Sequence, residues 1–506
     1  MCAKFACQFA LGQKAFTTTT TNMEGERMDS FFKFAERGTD FRTELLAGVT
    51  TFLTMAYIIF VNPGILSAAG VPFEGATTAT ALGAALMCVA MGFISNRPLA
   101  LASGMGLNAV VTFSIIGFQQ ANVPWQVGMS VIFAEGLIIF GLVLTGAREA
   151  IMNAIPLDLK RAIGVGIGLF ITLLGLIEGG VITPNAATVV SLGDFTKPYV
   201  WVTLIGLFSI LAFMALRIKG DILWGILVAT IAALLLNVTK LPTAVVAQPN
   251  FSTFLAPFQT PANTNSIALL QIFTPALLFA VFAVMLTDFF DTMGTVISVG
   301  EQAGFADKEG KVPGIKSILL VDSAAASVGG LFGASSITTY IESAAGVAEG
   351  GRTGLTAIVT GVLFAFAAFF SPVVRMIGGG YPVANAERFA SFAGSGFTVP
   401  ADVPVPSFTS FPITAGALII VGFLMMRTVR DIPWDNLEEA FPAYLTIVGI
   451  PLTYNISWGI GLGFISYVLI KLFHGKIKDI HPLMWVASIA FLLAFLQVPI
   501  LGLIGS

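Results

Sequence analysis

Long apolar runs separated by short polar breaks dominate the chain from about residue 44 to its end. Most approach the roughly 17–25 residues that a helix needs to cross a bilayer, so the pattern predicts an all-α polytopic membrane protein. A polar, proline-containing loop at 240–265 divides about 14 predicted spans into two sets of seven. The first set is 44–61, 77–94, 98–118, 124–144, 162–176, 199–216 and 222–236, and the second is 275–299, 315–331, 335–348, 354–374, 413–426, 439–452 and 458–473.

The basic residues between the spans predict the orientation of the chain. Cytoplasmic loops are enriched in Lys and Arg, and this rule predicts a cytoplasmic N-terminus. The basic residues then placed on the cytoplasmic side are Arg97, Arg148, Lys160, Arg161, Arg217, Lys219, Lys308, Lys311, Lys316, Arg352, Arg427 and Arg430. Lys471, Lys476 and Lys478 join them if the spans 439–452 and 458–473 cross separately. A last apolar run at 484–503 lies outside the two sets, and the pattern leaves open whether it crosses the membrane or is half-inserted.

Two sets of seven spans that start from opposite sides predict an inverted-topology repeat. Such transporters place their substrate near the membrane midplane, at short or glycine-interrupted spans in matching positions. The third span has Gly104 and Gly106 on either side of Met105, and the tenth, 335–348, is too short to cross as an ordinary helix. Its β-branched start favours a short extended segment before a half-helix. Both breaks are therefore predicted to lie at a site.

The eighth span carries two carboxylates, Asp288 and Asp291, in an otherwise apolar segment. A charge at membrane depth costs at least ~2.5–3.5 kcal/mol on insertion scales, so acids persist there mainly where they face a protein interior or a water path. A spacing of three residues makes the two side chains neighbours on a helix surface. We expect this face to look into a binding site.

Four side chains from three spans form the predicted site: Asn108, Asp288, Asp291 and Glu342. Carboxylates accept hydrogen bonds while an amide both donates and accepts, a mixture that suits a flat heterocycle with ring N–H and carbonyl groups. Glu342 is expected to accept from ring N–H groups. Phe289, Phe290 and Tyr340 are candidates for an aromatic face. The structural alternatives are that Asn108 satisfies backbone groups at the helix break and that the acids are hydrogen-bonded struts.

The same acids are candidates for ion coupling. A carboxyl group in a poorly solvated cavity favours its neutral form, so it can take up and release a proton as access alternates. Asp288 is the first candidate for this proton, with Glu342 binding substrate. Na⁺ bound by the carboxylates and unwound carbonyls is an open alternative. Two further mid-membrane acids, Glu135 and Asp322, do not accompany a helix break, and interhelical hydrogen bonds are expected for them.

Composition narrows the function classes. The chain is 56% hydrophobic and 10% charged, with 53 glycines, which is typical of packed membrane helices. A net charge of −3 gives no nucleic-acid footprint, and three cysteines provide neither a disulfide framework nor metal-ligand spacing. There is no Walker-type phosphate loop, and no cofactor is predicted. A membrane enzyme would need more converging acids or histidines. An anion transporter would favour breaks free of acids such as Glu342.

Several motifs in order resemble one known family. They are Phe31–Phe34 with Glu36–Thr39, Gly48–Phe52 with Ala56 and Tyr57, Gly104–Ala109, Asp288–Thr292 with Gly294 and Thr295, Thr338–Ser343, and Gly350–Gly354. With these motifs the chain resembles the AzgA-like purine permeases of the nucleobase:cation symporter 2 group. The resemblance extends from residue 28 to about 473.

The resemblance implies a uracil-permease-like fold with fourteen helices in two inverted seven-helix repeats, and a homodimer in the cell membrane. It implies proton-coupled uptake of hypoxanthine, guanine or adenine. The family's binding residues carry over to Asn108, Asp288, Asp291 and Glu342, and the surrounding motifs add the candidates Gly106, Thr339, Tyr340 and Phe289.

The expected domain organisation follows from the spans and the resemblance. An N-terminal tail with a short amphipathic piece covers 1–42. Core-domain helices cover 43–148 and 268–376, and gate-domain helices cover 156–238 and 412–473. The remaining segments are extramembrane loops at 239–267 and 377–411 and the C-terminal apolar segment at 474–506.

Overall fold

The computed structural model describes residues 31–116, 123–146, 148, 155–185, 187–262, 264–305, 312–383 and 408–504. Most of the predicted N-terminal tail and most of the loop insertion at 377–411 lie outside these residues. The end of the predicted amphipathic piece is a short helix, α1 (Phe34–Arg37). Arg37 anchors it to the membrane helices by donating to the backbone oxygens of Asn96 and Arg352.

The first seven predicted spans correspond to helices, with one strand in the third. The first span is two helices that meet at Ala56 and Tyr57. The elements in order are α2 (Phe41–Met55), α3 (Ile58–Ser67), α4 (Phe73–Ile94), β1 (Leu101–Ser103), α5 (Met105–Ala109) continued by a π-helix (Val110–Ile116), α6 (Trp125–Thr145), α7 (Leu157–Glu178), the hairpin β2 (Ile182–Asn185) and β3 (Val189–Leu192), α8 (Pro198–Ala215) and α9 (Asp221–Leu235).

The second set repeats this order after two 3₁₀ turns, Ala256–Phe258 and Ala268–Ile272. A strand and a short helix again form one span, the tenth. The elements are α10 (Pro275–Gln302), α11 (Ile315–Phe332), β4 (Ile337–Thr339), α12 (Ser343–Ala348), α13 (Gly354–Ala367), α14 (Ser371–Gly378), the pair β5 (Tyr381–Val383) and β6 (Phe408–Ser410), α15 (Pro412–Met425), α16 (Leu437–Leu452), α17 (Ile456–Phe473) and α18 (Pro482–Ile504).

Length and apolarity agree with a multi-pass membrane protein. In the described part of the chain, nine helical segments are long and apolar enough to cross a membrane. In the third and tenth spans the helix gives way to the predicted extended segments. The predicted fold class is confirmed.

The two extended segments pair with each other. β1 and β4 run antiparallel with Leu101 opposite Thr339 and Ser103 opposite Ile337. The N–H of Gly104 donates to the carbonyl of Ser336 at 2.9 Å, which extends the ladder beyond the strands. All six strand residues are buried, and their pairing satisfies backbone groups that non-helical membrane segments would otherwise leave unmet.

The helices pack mainly in two groups, and backbone approach at glycines determines how closely. One group contains α2–α6 and α10–α14, and the other contains α7–α9 and α15–α17. A Cβ added to Gly354 at the start of α13 would lie 2.0 Å from the carbonyl oxygen of Gly92 at the end of α4. This pair needs glycine because the two backbones touch. The assignment of the groups to a core and a gate domain stays a prediction.

A buried glutamate connects the first span to the loop before α13. Glu44 accepts hydrogen bonds from the backbone N–H groups of Arg352, Thr353 and Thr356 and from the Thr356 hydroxyl. These bonds satisfy amides at the start of α13 that have no partner within the helix. The Gly350–Gly354 motif therefore has a structural role in joining the repeats.

The C-terminal apolar run forms α18, which packs along α17 and α10. Phe491 contacts Phe279 of α10 at a ring-centroid distance of 5.0 Å and Phe464 of α17 at 5.6 Å. Further along, Phe495 stacks on Trp458 at the start of α17, at 4.3 Å. These contacts follow α17 from its middle to its start.

Candidate functional site

A cavity of about 100 Å³ lies beside the paired strands, where the two helix groups meet. This volume is large enough for several water molecules. Its walls come from the residues next to β1 and β4, from α10, from the break between α2 and α3, and from α7 and α15 of the other group. The lining residues are Tyr57, Gly104, Met105, Gly106, Leu107, Ile167, Thr287, Asp291, Thr295, Thr339, Tyr340, Ile341, Glu342, Val421 and Met425.

Glu342 lines the cavity at the point where β4 ends and α12 begins. Tyr57, 1% exposed, donates its hydroxyl to Glu342 Oε1 at 2.7 Å. This bond orients the carboxylate and leaves its second oxygen available to accept from a ligand. The break in the first span positions Tyr57, because α2 ends at Met55 and the chain turns before α3.

Asp291 belongs to a polar stripe on α10 that faces the cavity. Thr287, Asp291 and Thr295 are spaced by four residues each and all line it. On the opposite wall, Gly106 brings its backbone against α7, and a Cβ there would lie 2.8 Å from Ile167 Cγ2. The cavity is therefore acidic and hydroxyl-rich on one helix face and apolar on the other group's side.

Asp288 does not line this cavity. It is 0% exposed, is not a lining residue, and interacts electrostatically with Glu135, Asp322 and Arg148. Three residues correspond to 300° of helix rotation, so Asp288 and Asp291 are offset by about 60°. Asp291 therefore lies at the cavity, while Asp288, about 60° further around α10, lies outside its lining. The expectation that both aspartates look into one site is not met by the geometry.

The remaining predicted residues divide in the same way. Gly106, Thr339 and Tyr340 line the cavity, whereas Asn108 and Phe289 are fully buried away from it. Both polar atoms of the Asn108 side chain lack a hydrogen-bond partner among the described residues. Phe289 packs beneath the guanidinium of Arg148, 4.8 Å from its ring centre. The side chain of Phe290 lies outside the described residues.

The two further mid-membrane acids, Asp322 and Glu135, differ in their hydrogen bonds. Asp322 forms the expected bonds between elements, accepting from the hydroxyls of Thr292 at 2.7 Å and Thr338 at 3.3 Å. The backbone N–H of Thr339 also donates to it, at 3.1 Å. Glu135 makes no hydrogen bond with any described residue, so the expectation of interhelical bonding is not met there.

The structure adds lining residues that the sequence analysis did not select. Thr287 and Thr295 could have been found from their four-residue spacing around Asp291. Tyr57 appears in a family motif, but nothing in the sequence pairs it with Glu342, 285 positions away. Ile167, Val421 and Met425 come from ordinary apolar spans and carry no local signal.

Comparison with known proteins agrees with this architecture. The model of the Permease family (Xan_ur_permease) matches residues 42–399. The chain belongs to this family. The permease is 39% identical over 479 residues to the guanine/hypoxanthine permease PbuG of Bacillus subtilis (strain 168), covering 93% of this chain and 99% of that protein. It is 37% identical over 476 residues to the adenine permease AdeP of Escherichia coli (strain K12), covering 94% and 97%. The resemblance stated from the motifs is confirmed.

Solved structures support the fold of the permease. The transmembrane domain of the cyanobacterium bicarbonate transporter BicA matches with a TM-score of 0.57 at 16% identity, covering 82% of this chain and 96% of that chain. At this identity the match concerns the fold alone. Family membership makes the chain a transporter rather than an enzyme, as expected from the sequence.

Proposed function

We propose that the permease imports purine nucleobases by proton symport, with hypoxanthine and guanine favoured and adenine possible. The observation that carries the proposal is the cavity between the helix groups, with Glu342 held by Tyr57 and Asp291 on the neighbouring wall. Two carboxylates suit the ring N–H groups of a purine, and the threonine hydroxyls suit its carbonyl and ring nitrogens. The names of relatives such as PbuG and AdeP support the same substrate class.

An aromatic ring and a thioether in the cavity wall are consistent with a flat ligand. Tyr340 and Met105 line it beside the two acids. The hydroxyl of Tyr340 donates to the carbonyl of Ser103, which fixes the ring in place. A fixed ring offers a stacking surface at low entropic cost.

Transport requires the cavity to open to one side at a time. We assign the core domain to 43–148 and 268–376 and the gate domain to 156–238 and 412–473, and the cavity lies between them. Ile167, Val421 and Met425 form the gate side and carry no polar group toward the ligand. Apolar contacts of this kind separate with little electrostatic cost, which suits a surface that must slide. We also place the N-terminus in the cytoplasm, the protein in the cell membrane, and the functional unit as a homodimer.

Uptake of radiolabelled bases tests this function. Hypoxanthine, guanine, adenine and uracil are supplied to a host that lacks its own purine uptake, with and without a protonophore and with Na⁺ replaced by choline. The proposal expects accumulation of at least one purine that the protonophore abolishes and choline does not. Accumulation of none of the bases overturns the substrate assignment, and loss with choline alone replaces the proton with Na⁺.

A further inference from the structure

A second group of buried charged side chains lies behind the cavity, between α6, α10 and α11. Glu135, Asp288 and Asp322 are 0% exposed and Arg148 is 1% exposed. None of the four lines the cavity. We call this group the rear cluster.

Within the rear cluster, Asp322 is well compensated. Its Oδ2 atom lies 3.6 Å from Nη2 of Arg148 and accepts from Thr292, and its Oδ1 atom accepts from Thr338 and from the N–H of Thr339. The guanidinium rests on the ring of Phe289, a favourable cation–π contact. These donors and the nearby guanidinium offset part of the cost of burying the Asp322 carboxyl group.

Glu135 and Asp288 lack such compensation. No oxygen of either carboxyl group accepts a hydrogen bond from a residue that the structure describes, and Ser336 lies beside Glu135 without good hydrogen-bond geometry. The two acids interact electrostatically with each other, with Asp322 and with Arg148, and Asp291 also acts on Asp288. Three carboxyl groups thus lie near one guanidinium. Burying the carboxylates of Glu135 and Asp288 without hydrogen-bond donors is unfavourable unless their charge is neutralised.

Close helix packing restricts what could neutralise them. Gly136, next to Glu135, lies against α11, where a Cβ would be 2.4 Å from the backbone nitrogen of Ser327. Gly330 lies against α6 in the same way, 2.5 Å from the nitrogen of Phe133. A metal cation needs several oxygen ligands around it, and no group of three metal-ligating side chains occurs in the described part of the chain. A proton, by contrast, binds to a single carboxylate oxygen, so it can neutralise these acids without further ligands.

We propose that Glu135 and Asp288 together bind the transported proton, while Asp322 beside them is paired with Arg148. This inference rests on the proposed purine:proton symport and places the proton apart from the substrate. The two sites are connected through β4, because Asp322 holds Thr338 and Thr339, and the residues that follow them, Tyr340 to Glu342, line the cavity. A change of charge in the rear cluster therefore acts on the segment that carries Glu342.

Purified protein in proteoliposomes provides the test, with the variant Glu135→Gln and the matched control Glu178→Gln. Glu178 is also a buried glutamate, at the end of α7, and belongs neither to the cavity lining nor to the rear cluster. Two quantities are measured: exchange of labelled purine across the membrane without a gradient, and accumulation driven by an imposed pH gradient. We expect Glu135→Gln to keep exchange within about threefold of wild type and to lose at least tenfold in accumulation, and the control to keep both.

Each other outcome is informative. Wild-type protein without purine exchange defeats the proposed function itself. Gradient-driven accumulation by Glu135→Gln with the wild-type pH dependence overturns the rear cluster as the proton site, as does loss of exchange together with accumulation in folded protein. Glu135→Asp retains a carboxyl group and is expected to restore accumulation with a shifted pH profile, which a purely structural role does not predict. If Glu135→Gln does not fold, Asp288→Asn is tested in the same way, and retained coupling in that variant overturns the proposal.

Discussion

At the scale of single residues, the bond between Tyr57 and Glu342 determines how the cavity presents its carboxylate. Tyr57 lies at the break in the first span, and its hydroxyl reaches Glu342 Oε1 at 2.7 Å. A hydrogen bond to a charged group is worth about 1.5–3 kcal/mol net. The orientation of Glu342 therefore depends on a residue that contacts the cavity from another repeat.

The first prediction concerns this pair. Glu342→Ala is expected to abolish measurable purine binding, because it removes the acceptor for the ring N–H groups. Tyr57→Phe keeps the ring and loses only the hydroxyl, so we expect a weaker effect, about tenfold or more in Kd, equivalent to about 1.4 kcal/mol. Equilibrium binding of labelled purine to purified protein measures both. Unchanged affinity in Tyr57→Phe would show that the bond does not orient the carboxylate for binding.

The second prediction separates the two aspartates of α10. Asp291 lines the cavity and Asp288 does not, so Asp291→Asn is expected to raise the purine Kd about tenfold. Asp288→Asn should leave Kd within about threefold, a difference of less than 1 kcal/mol, and should remove the dependence of uptake on the proton gradient. Binding and pH-dependent uptake are measured on both variants. The geometry is contradicted if Asp288→Asn loses affinity while Asp291→Asn keeps it.

At the scale of elements, contacts between backbones at glycines fix how α4 meets α13 and how α6 meets α11. Gly354 touches the Gly92 carbonyl, and Gly136 touches the backbone of Ser327. In lipid, such close packing is the main attraction between helices, because burial of apolar surface contributes little. These contacts also hold the paired strands and the rear cluster in position.

The third prediction tests such a contact. Gly354→Ala places a methyl group about 2.0 Å from the Gly92 oxygen, so the two helices must separate. Overpacking of this kind costs typically ~1–3 kcal/mol. Gly141→Ala on α6 is the control, since nothing lies within 4 Å of the added carbon. Thermal unfolding in detergent is expected to show a lower midpoint for Gly354→Ala only. Equal midpoints for the two variants would refute the contact.

At the scale of the whole molecule, the two helix groups are joined at the level of the loops by an ion pair. Lys219, in the turn between α8 and α9, pairs with Glu349 at the end of α12. A second pair, Arg375 with Glu74, joins α14 to α4 within one group. Surface pairs of this kind contribute little stability. Their two residues are close together, however, so each pair is a suitable site for a chemical cross-link.

The fourth prediction uses these positions to test relative motion of the domains. In a background without native cysteines, cysteine pairs replace Lys219 and Glu349 in one variant and Arg375 and Glu74 in the other. Linking the first pair with a bifunctional thiol reagent is expected to stop purine transport, because it connects core to gate. Linking the second pair should leave transport near its unlinked rate. Full transport by a completely linked first pair would argue against alternating access by these domains.

Much of the fold was predictable because it depends on local properties of the chain. Apolar run length predicted the spans, and the glycines around Met105 together with the short tenth span predicted the two breaks, which the structure shows as the strands β1 and β4. The presence of Glu342 at such a break made it a candidate site residue, because a carboxyl group at membrane depth requires a polar neighbourhood, and the structure places it at the cavity.

The sequence by itself determined which spans carry chemistry, and the tertiary structure alone decided which side chains share a cavity. Asp288 and Asp291 are three positions apart, yet a rotation of about 60° between them places one at the cavity and the other beside Glu135, Asp322 and Arg148. Asn108 and Phe289 are fully buried and do not line the cavity. Tyr57, Ile167 and Val421 join the cavity from distant spans. Helix rotation and helix pairing are set by packing across the whole molecule, and local sequence patterns do not contain that information.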